Sequence, residues 1–182
     1  MKRFISTLMA SLTITMPAMA SPLPNDHQSL VNTLTADGVD VLINYPPQVC
    51  DSDVDPSGAY AVISGERKLV VCQDNSNAGD LTIVNWTAND LDTIRHETFH
   101  IIQDCMKGTK NDSELDTVFT DLREVIDAFG VYETMEVIEF YLELYSDRRD
   151  ISYAIINEIE AFYAARDISA SEIETMYNKY CM

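Results

Sequence analysis

Leu91-Asp-Thr-Ile-Arg-His96-Glu97-Thr-Phe-His100-Ile-Ile-Gln103-Asp-Cys-Met-Lys-Gly108 is the stretch on which both fold and chemistry turn. A helix rotates by about 100° per residue, so His96 and His100 lie about 40° apart on one face and can grip one metal ion. Glu97 is turned off that line, able to reach a water at the metal without being a ligand itself. The neighbourhood favours a helix. Asn89 and Asp90 are candidate caps, Asp90 and Asp92 suit the positive end of the dipole, and Gly108 supplies a stop after Lys107. Ile94, Ile101, Ile102, Cys105 and Met106 give it apolar faces. The simpler account, two packed histidines beside a solvated glutamate, offers no reason for the glutamate to follow the first histidine directly.

Upstream, residues 27–34 suit a short helix, and Ala36-Asp37-Gly38 a turn into a strand from Val39 to Tyr45 that Pro46-Pro47 closes. A turn-rich loop, Asp51 to Gly58, precedes a hairpin of Ala59–Ser64 and Lys68–Gln73 around Gly65-Glu66-Arg67. Another loop, Asp74 to Gly79, leads to a third strand, Leu81 to Trp86, which feeds the motif helix and is placed to align an extended peptide by main-chain hydrogen bonds. Downstream the spacing becomes helical. Helices are expected over Asp112–Phe129, closed by Gly130, over Val131–Tyr145, broken near Ser146-Asp147, and over Asp150–Arg166. Ser169 and Glu172 form a capping box for a last helix reaching Cys181. The fold class is α+β: a small N-terminal sheet, the motif helix, then a mostly helical C-terminal half.

Residues 1–20 read as a secretory signal, with Lys2 and Arg3 before an apolar stretch and Ala18-Met19-Ala20 as the cleavage site. Residues 21–182 then form one domain, exported to the periplasm or beyond. No later stretch has the apolar length of a membrane span, and no membrane association is expected. The signal holds two of the 12 basic residues and none of the 30 acidic ones, so its removal takes the formal charge from −18 to −20. Such a balance opposes binding to nucleic acid or anionic membranes. In an oxidising compartment four cysteines usually form bridges; Cys50 with Cys72 and Cys105 with Cys181 are favoured, the second pair tying the motif helix to the last helix.

Catalytic zinc normally takes three protein ligands and leaves a position for water. Gln103 and Met106 stand where a continued H-E-x-x-H-x-x-G-x-x-H would need glycine and histidine, and His27 sits near the mature N-terminus, where an exposed polar role suits it. The better source is the helix ending at Arg166. Glu160 lies there on a stripe with Ile156 and Tyr163, and a carboxylate carried into an apolar surface is costly unless it meets a cation. Glu158, on another side and more easily solvated, is the alternative.

H-E-x-x-H on one helix with a glutamate from a later helix resembles the gluzincins, the thermolysin-like metallopeptidases. Glu160-Ala161-Phe162-Tyr163-Ala164 resembles the context of their third ligand, with Ala164 where aspartate often stands. The resemblance covers these two helices only. It implies a zincin-like fold and a secreted zinc-dependent peptidase acting on peptides or proteins, with His96, His100 and Glu160 on the metal. In this reading Glu97 is the general base for a zinc-activated water. Tyr163, three residues beyond Glu160, is a candidate oxyanion donor, and Arg95 and Arg166 candidate substrate contacts. Gly108-Thr109-Lys110-Asn111-Asp112 resembles, more weakly, the aspartate zincins, which would make Asp112 the third ligand. The alternative function is an exported, disulfide-held binding or inhibitor protein without turnover, with or without structural zinc.

Overall fold

A computed structural model describes residues 22–51, 57–108, 115–144 and 152–182. The signal segment, Asp112 and the break near Ser146 lie outside them. The protein is α+β, with one three-stranded sheet and mostly helical content.

Helix α1 (Asn25–Ala36) buries Leu30 and Leu34 and turns through Gly38, at φ 82°, into strand β1 (Asp40–Ile43). A short helical turn, α2 (Pro47–Cys50), precedes the hairpin of β2 (Gly58–Ile63) and β3 (Glu66–Val71). The strand order is β1-β3-β2, with β1 parallel to β3 and Tyr60 opposite Leu69 in the antiparallel pair. Flanked on both sides, β3 buries Leu69, Val70 and Val71. Both expected disulfides form. Cys50–Cys72 ties α2 to the end of β3, and Cys105–Cys181 joins the C-terminal ends of α3 (Ala88–Met106) and α7 (Ala170–Cys181).

Residues 81–86 are not a strand. The Gln73 side chain takes both main-chain groups of Val84, accepting from its N–H at 3.0 Å and donating to its carbonyl at 3.1 Å, while Asp80 accepts from the N–H of Thr82 at 2.9 Å. With those groups held by side chains, Leu81 and Ile83 stay exposed, and β2 and β3, not this segment, are the strands beside α3. The cap of α3 also moves. Thr87 accepts from the N–H of Asp90, and the Asp90 carboxylate accepts from the N–H of Thr87, a closed capping box about two turns before the first motif residue. The Ser169–Glu172 box opens α7 as the sequence predicts.

After Gly108 the described chain is irregular from 115 to 121, and helix begins only at α4 (Leu122–Phe129), capped by Asp121. The helix expected from Asp112 is therefore shorter, for a physical reason: the N–H groups of Val118 and Phe119 point away to a buried carboxylate, that of Glu160. Helices α5 (Val131–Leu144) and α6 (Ser152–Asp167) follow. One apolar cluster packs α1, the sheet, α3 and α7 around Leu69, Ile94, Phe99 and Ile173; a second packs α4, α5 and α6 around Val125, Phe129, Val137 and Ile159. The contact of α3 with α6 bridges them. Among the described residues no helix is long and apolar enough to cross a membrane.

Candidate metal centre

The capped helix α3 presents His96 and His100 on the face turned to α6, and the two Nε2 atoms stand 3.1 Å apart with rings nearly perpendicular. A carboxylate from α6 completes the group, and it is Glu158. Its Oε2 lies 3.3 Å from His96 Nε2 and 3.5 Å from His100 Nε2. A tetrahedral ion bonded at about 2.0–2.1 Å needs neighbouring donors about 3.3 Å apart. The three sides observed bracket that value, so the donor set fits a divalent ion such as zinc in spacing and in kind. Among the described residues this is the one group of three His, Cys, Asp or Glu side chains with ligand atoms close enough to share a metal.

Glu160, expected as the third ligand, is not in this group. Its burial is as anticipated, at 1% exposure, but its partner is not a cation. Oε2 accepts from the Val118 N–H at 2.9 Å and from Gln103 Nε2 at 3.1 Å, and Oε1 accepts from the Phe119 N–H at 3.1 Å. Main-chain donors answer the cost of burying the carboxylate, although burial still pushes its pKa up. Tyr163 does not reach the centre either: its ring packs edge-on against Phe119 in the second apolar cluster. The tyrosine that does reach it is Tyr141 of α5, whose hydroxyl donates to Glu158 Oε2 at 2.8 Å.

His27 is buried rather than exposed, and its ring lies between Asp26 and the guanidinium of Arg95, away from the other histidines. Arg95 is spent on that contact, on the carbonyl of Ala165 at 2.7 Å and on Asp92. Arg166 lines the cleft, yet its guanidinium is pinned to the carbonyl of Phe129 and to Asp167.

The centre opens into a cleft of about 700 Å³. Gly58, His96 and Glu97 line it, and Phe129, Phe140 and Phe162 add to its apolar character. The His96 ring rests edge-on against Phe162, with centroids 4.5 Å apart. At Gly58 the close approach of β2 to α3 leaves no space for a side chain. An added Cβ would stand 2.5 Å from Thr93 Cγ2, 2.6 Å from the Val70 carbonyl oxygen and 3.2 Å from Glu97 Cγ.

Burial raises the pKa of Glu97, with the nearby histidines and the Tyr60 main-chain N–H opposing it in part. Burial alone would lower His100; the Glu158 carboxylate beside it outweighs burial and pushes it up to about 9. Burial would likewise raise Glu158, but His100 and His96 hold it well below the usual carboxylate range. A proton and a metal ion therefore compete for one point, and binding of the ion would release the proton.

Sequence reasoning found His96, Glu97 and His100, named Glu158 only as the second choice, and missed Tyr141 and Gln103. The signal for Gln103 was present: three residues beyond His100 it shares that histidine's face of α3. Tyr141 meets Glu158 across two helices, and no local spacing encodes that. Comparison with protein-family models, with curated proteins and with solved structures finds no match.

Proposed function

We propose that the protein is an exported zinc-dependent metallopeptidase of gluzincin type, with His96, His100 and Glu158 as the metal ligands and Glu97 as general base. The observation that carries this reading is the convergence of three donor atoms at tetrahedral spacing, at the edge of an open cleft that His96 lines, beside a buried glutamate that is not one of the three. A purely structural metal site would be closed by a fourth protein ligand. The two disulfides are compatible with an oxidising compartment.

A bound divalent ion would supply Lewis acidity at this point, polarising a carbonyl and acidifying water. Glu97 takes the proton of the attacking water and returns it to the leaving amine; its raised pKa suits a group that must carry a proton between steps. Tyr141, in place of Tyr163, is the hydroxyl at the cleft, and it serves a substrate oxygen by turning its one proton away from Glu158 Oε2. Among the described residues β2 is paired on one side only, by β3, and its Gly58 reaches the cleft. Its outer edge takes the peptide-aligning role that sequence gave to residues 81–86. The third ligand lies two residues before the position the gluzincin resemblance implies, and Glu158 is followed by Ile159 and Glu160 rather than by the E-A context.

The test is zinc content of the purified mature protein together with hydrolysis of a denatured general protein substrate. Stoichiometric zinc and chelator-sensitive cleavage are expected. A folded wild-type protein that takes up no zinc when offered it would sink this function and leave the binding-protein alternative.

A further inference from the structure

Gln103 and Glu160 have no part in the chemistry above, yet both side chains are almost wholly buried, at 0% and 1% exposure, within one polar chain that ends on His100. Gln103 Oε1 lies 2.8 Å from His100 Nδ1. Its Nε2 lies 3.0 Å from the Asn157 carbonyl oxygen and 3.1 Å from Glu160 Oε2. An amide has one acceptor end and one donor end, and turning this one over would aim an oxygen at two oxygens. The oxygen therefore faces His100, and the ring can meet it only as Nδ1–H. That leaves the lone pair on Nε2, the atom that faces His96 and Glu158.

Glu160 is itself held by the N–H groups of Val118 and Phe119, so the anchor of the amide is main chain rather than a mobile side chain. We infer that Gln103 and Glu160 are positioning residues, which fix His100 in its Nδ1–H tautomer and present its Nε2 to the metal. This rests on reading His96, His100 and Glu158 as a metal centre. The principle is general: the partner of a ligating histidine's second nitrogen sets tautomer, ring orientation and basicity. The sequence gives this duty to a glutamine three residues after the second motif histidine, and gives the duty of orienting that glutamine to the glutamate first taken for a ligand.

Two measurements test it together. Zinc affinity, by competition with a chromophoric chelator, is expected to fall about 10–100-fold in Gln103→Met, which keeps length and loses both polar ends. Glu160→Met should fall in the same direction, and Glu160→Gln, which keeps one oxygen for Gln103 and Val118 but turns its NH2 on the Phe119 N–H, should fall less. The double variant should be no weaker than the weaker single one, because Glu160 acts through Gln103; losses that multiply would overturn the relay. The second readout needs no metal. In alkaline buffer, with both imidazoles neutral, ring ¹⁵N shifts of the metal-free wild type should show the proton of His100 on Nδ1, and Gln103→Met should lose that preference. A wild-type ring protonated on Nε2 overturns the inference even if zinc binds. A wild type that shows the Nδ1–H tautomer but refuses zinc removes the metal centre while supporting the lock. Should Gln103→Met fail to fold, the wild-type tautomer and the ranking of Glu160→Met below Glu160→Gln in zinc affinity still decide the matter.

Discussion

Helix α6 carries two carboxylates two residues apart, about 200° of helical rotation, and they lead different lives. Glu158 faces α3 and α5, touching two imidazoles and the Tyr141 hydroxyl. Glu160 faces the core, touching two main-chain N–H groups and the Gln103 amide. The partners of Glu160 are fixed, neutral donors in a place no substrate reaches, so its charge is used up in holding residues 118 and 119. The partners of Glu158 are bases that can give up protons, and its side chain keeps 18% exposure. A metal site needs that second environment. Burial is thus a poor guide to which carboxylate binds a cation; what matters is whether its partners can be exchanged.

The same substitution at the two positions puts this contrast to its strongest test. Glu158→Met should abolish stoichiometric zinc and all hydrolysis; in the metal-free fold it removes the carboxylate beside His100, a partial loss because that buried imidazole can become neutral. Zinc content, activity and a thermal melt of one preparation check this. Retention of stoichiometric zinc would break the comparison at its root. Next in size comes Glu97→Gln, expected to lower hydrolysis by about 10²–10⁴-fold with zinc retained, because the base is lost and the ligands are not. A variant that lost zinc and activity together would make Glu97 a ligand and remove it as base.

How much of this was legible in the sequence follows from the range of the interactions involved. The motif of α3 could be read because helical geometry alone brings residues four apart together, and Ser169 with Glu172 could be read because a capping box spans one turn. The β2–β3 hairpin and both disulfides were also legible. The α6 residue was not, because choosing between Glu158 and Glu160 requires knowing what stands opposite each. The argument that a buried carboxylate must find a partner was sound for Glu160; the partner was main chain from residues 118 and 119, which sequence had placed inside a helix. One long-range contact thus accounts both for the overlong helix and for a Glu160 side chain that faces main chain rather than the two histidines. Residues 81–86 failed in the same way, the strand expected there overruled by the Gln73 side chain.

The core side of the contrast gives a smaller, structural prediction. Glu160→Met strands the N–H groups of Val118 and Phe119 and one proton of Gln103, at about 1–3 kcal/mol for each buried donor left unpaired. Chemical denaturation of the metal-free protein should therefore show Glu160→Met well below Glu158→Met in stability. Equal stabilities would mean that the segment at 118 and 119 does not depend on Glu160.

The smallest effect lies on the far side of α3, where Tyr177 donates to Asp37 Oδ2 at 2.7 Å and the Arg67 guanidinium meets the same oxygen at 2.7 Å. Burial, and then the hydrogen bond to Asp37, raise the Tyr177 pKa above its ordinary 10.0. The folded protein keeps this proton where an unfolded phenol has begun to lose it, so the folded state binds more protons and stability falls as pH rises past that value. The stabilisation is complete below about pH 10 and drains away above it. Tyr177→Phe should cost about 0.5–1.5 kcal/mol at neutral pH, and the gap to wild type should narrow in alkaline denaturation curves. Tyr60, raised by its own burial and by Asp104, keeps some alkaline loss in the variant. A gap that stays constant with pH would show that the hydroxyl of Tyr177 contributes through packing rather than through its proton. The closed side of α3 would then differ from the cleft side in shape alone, without the difference in how each holds its protons.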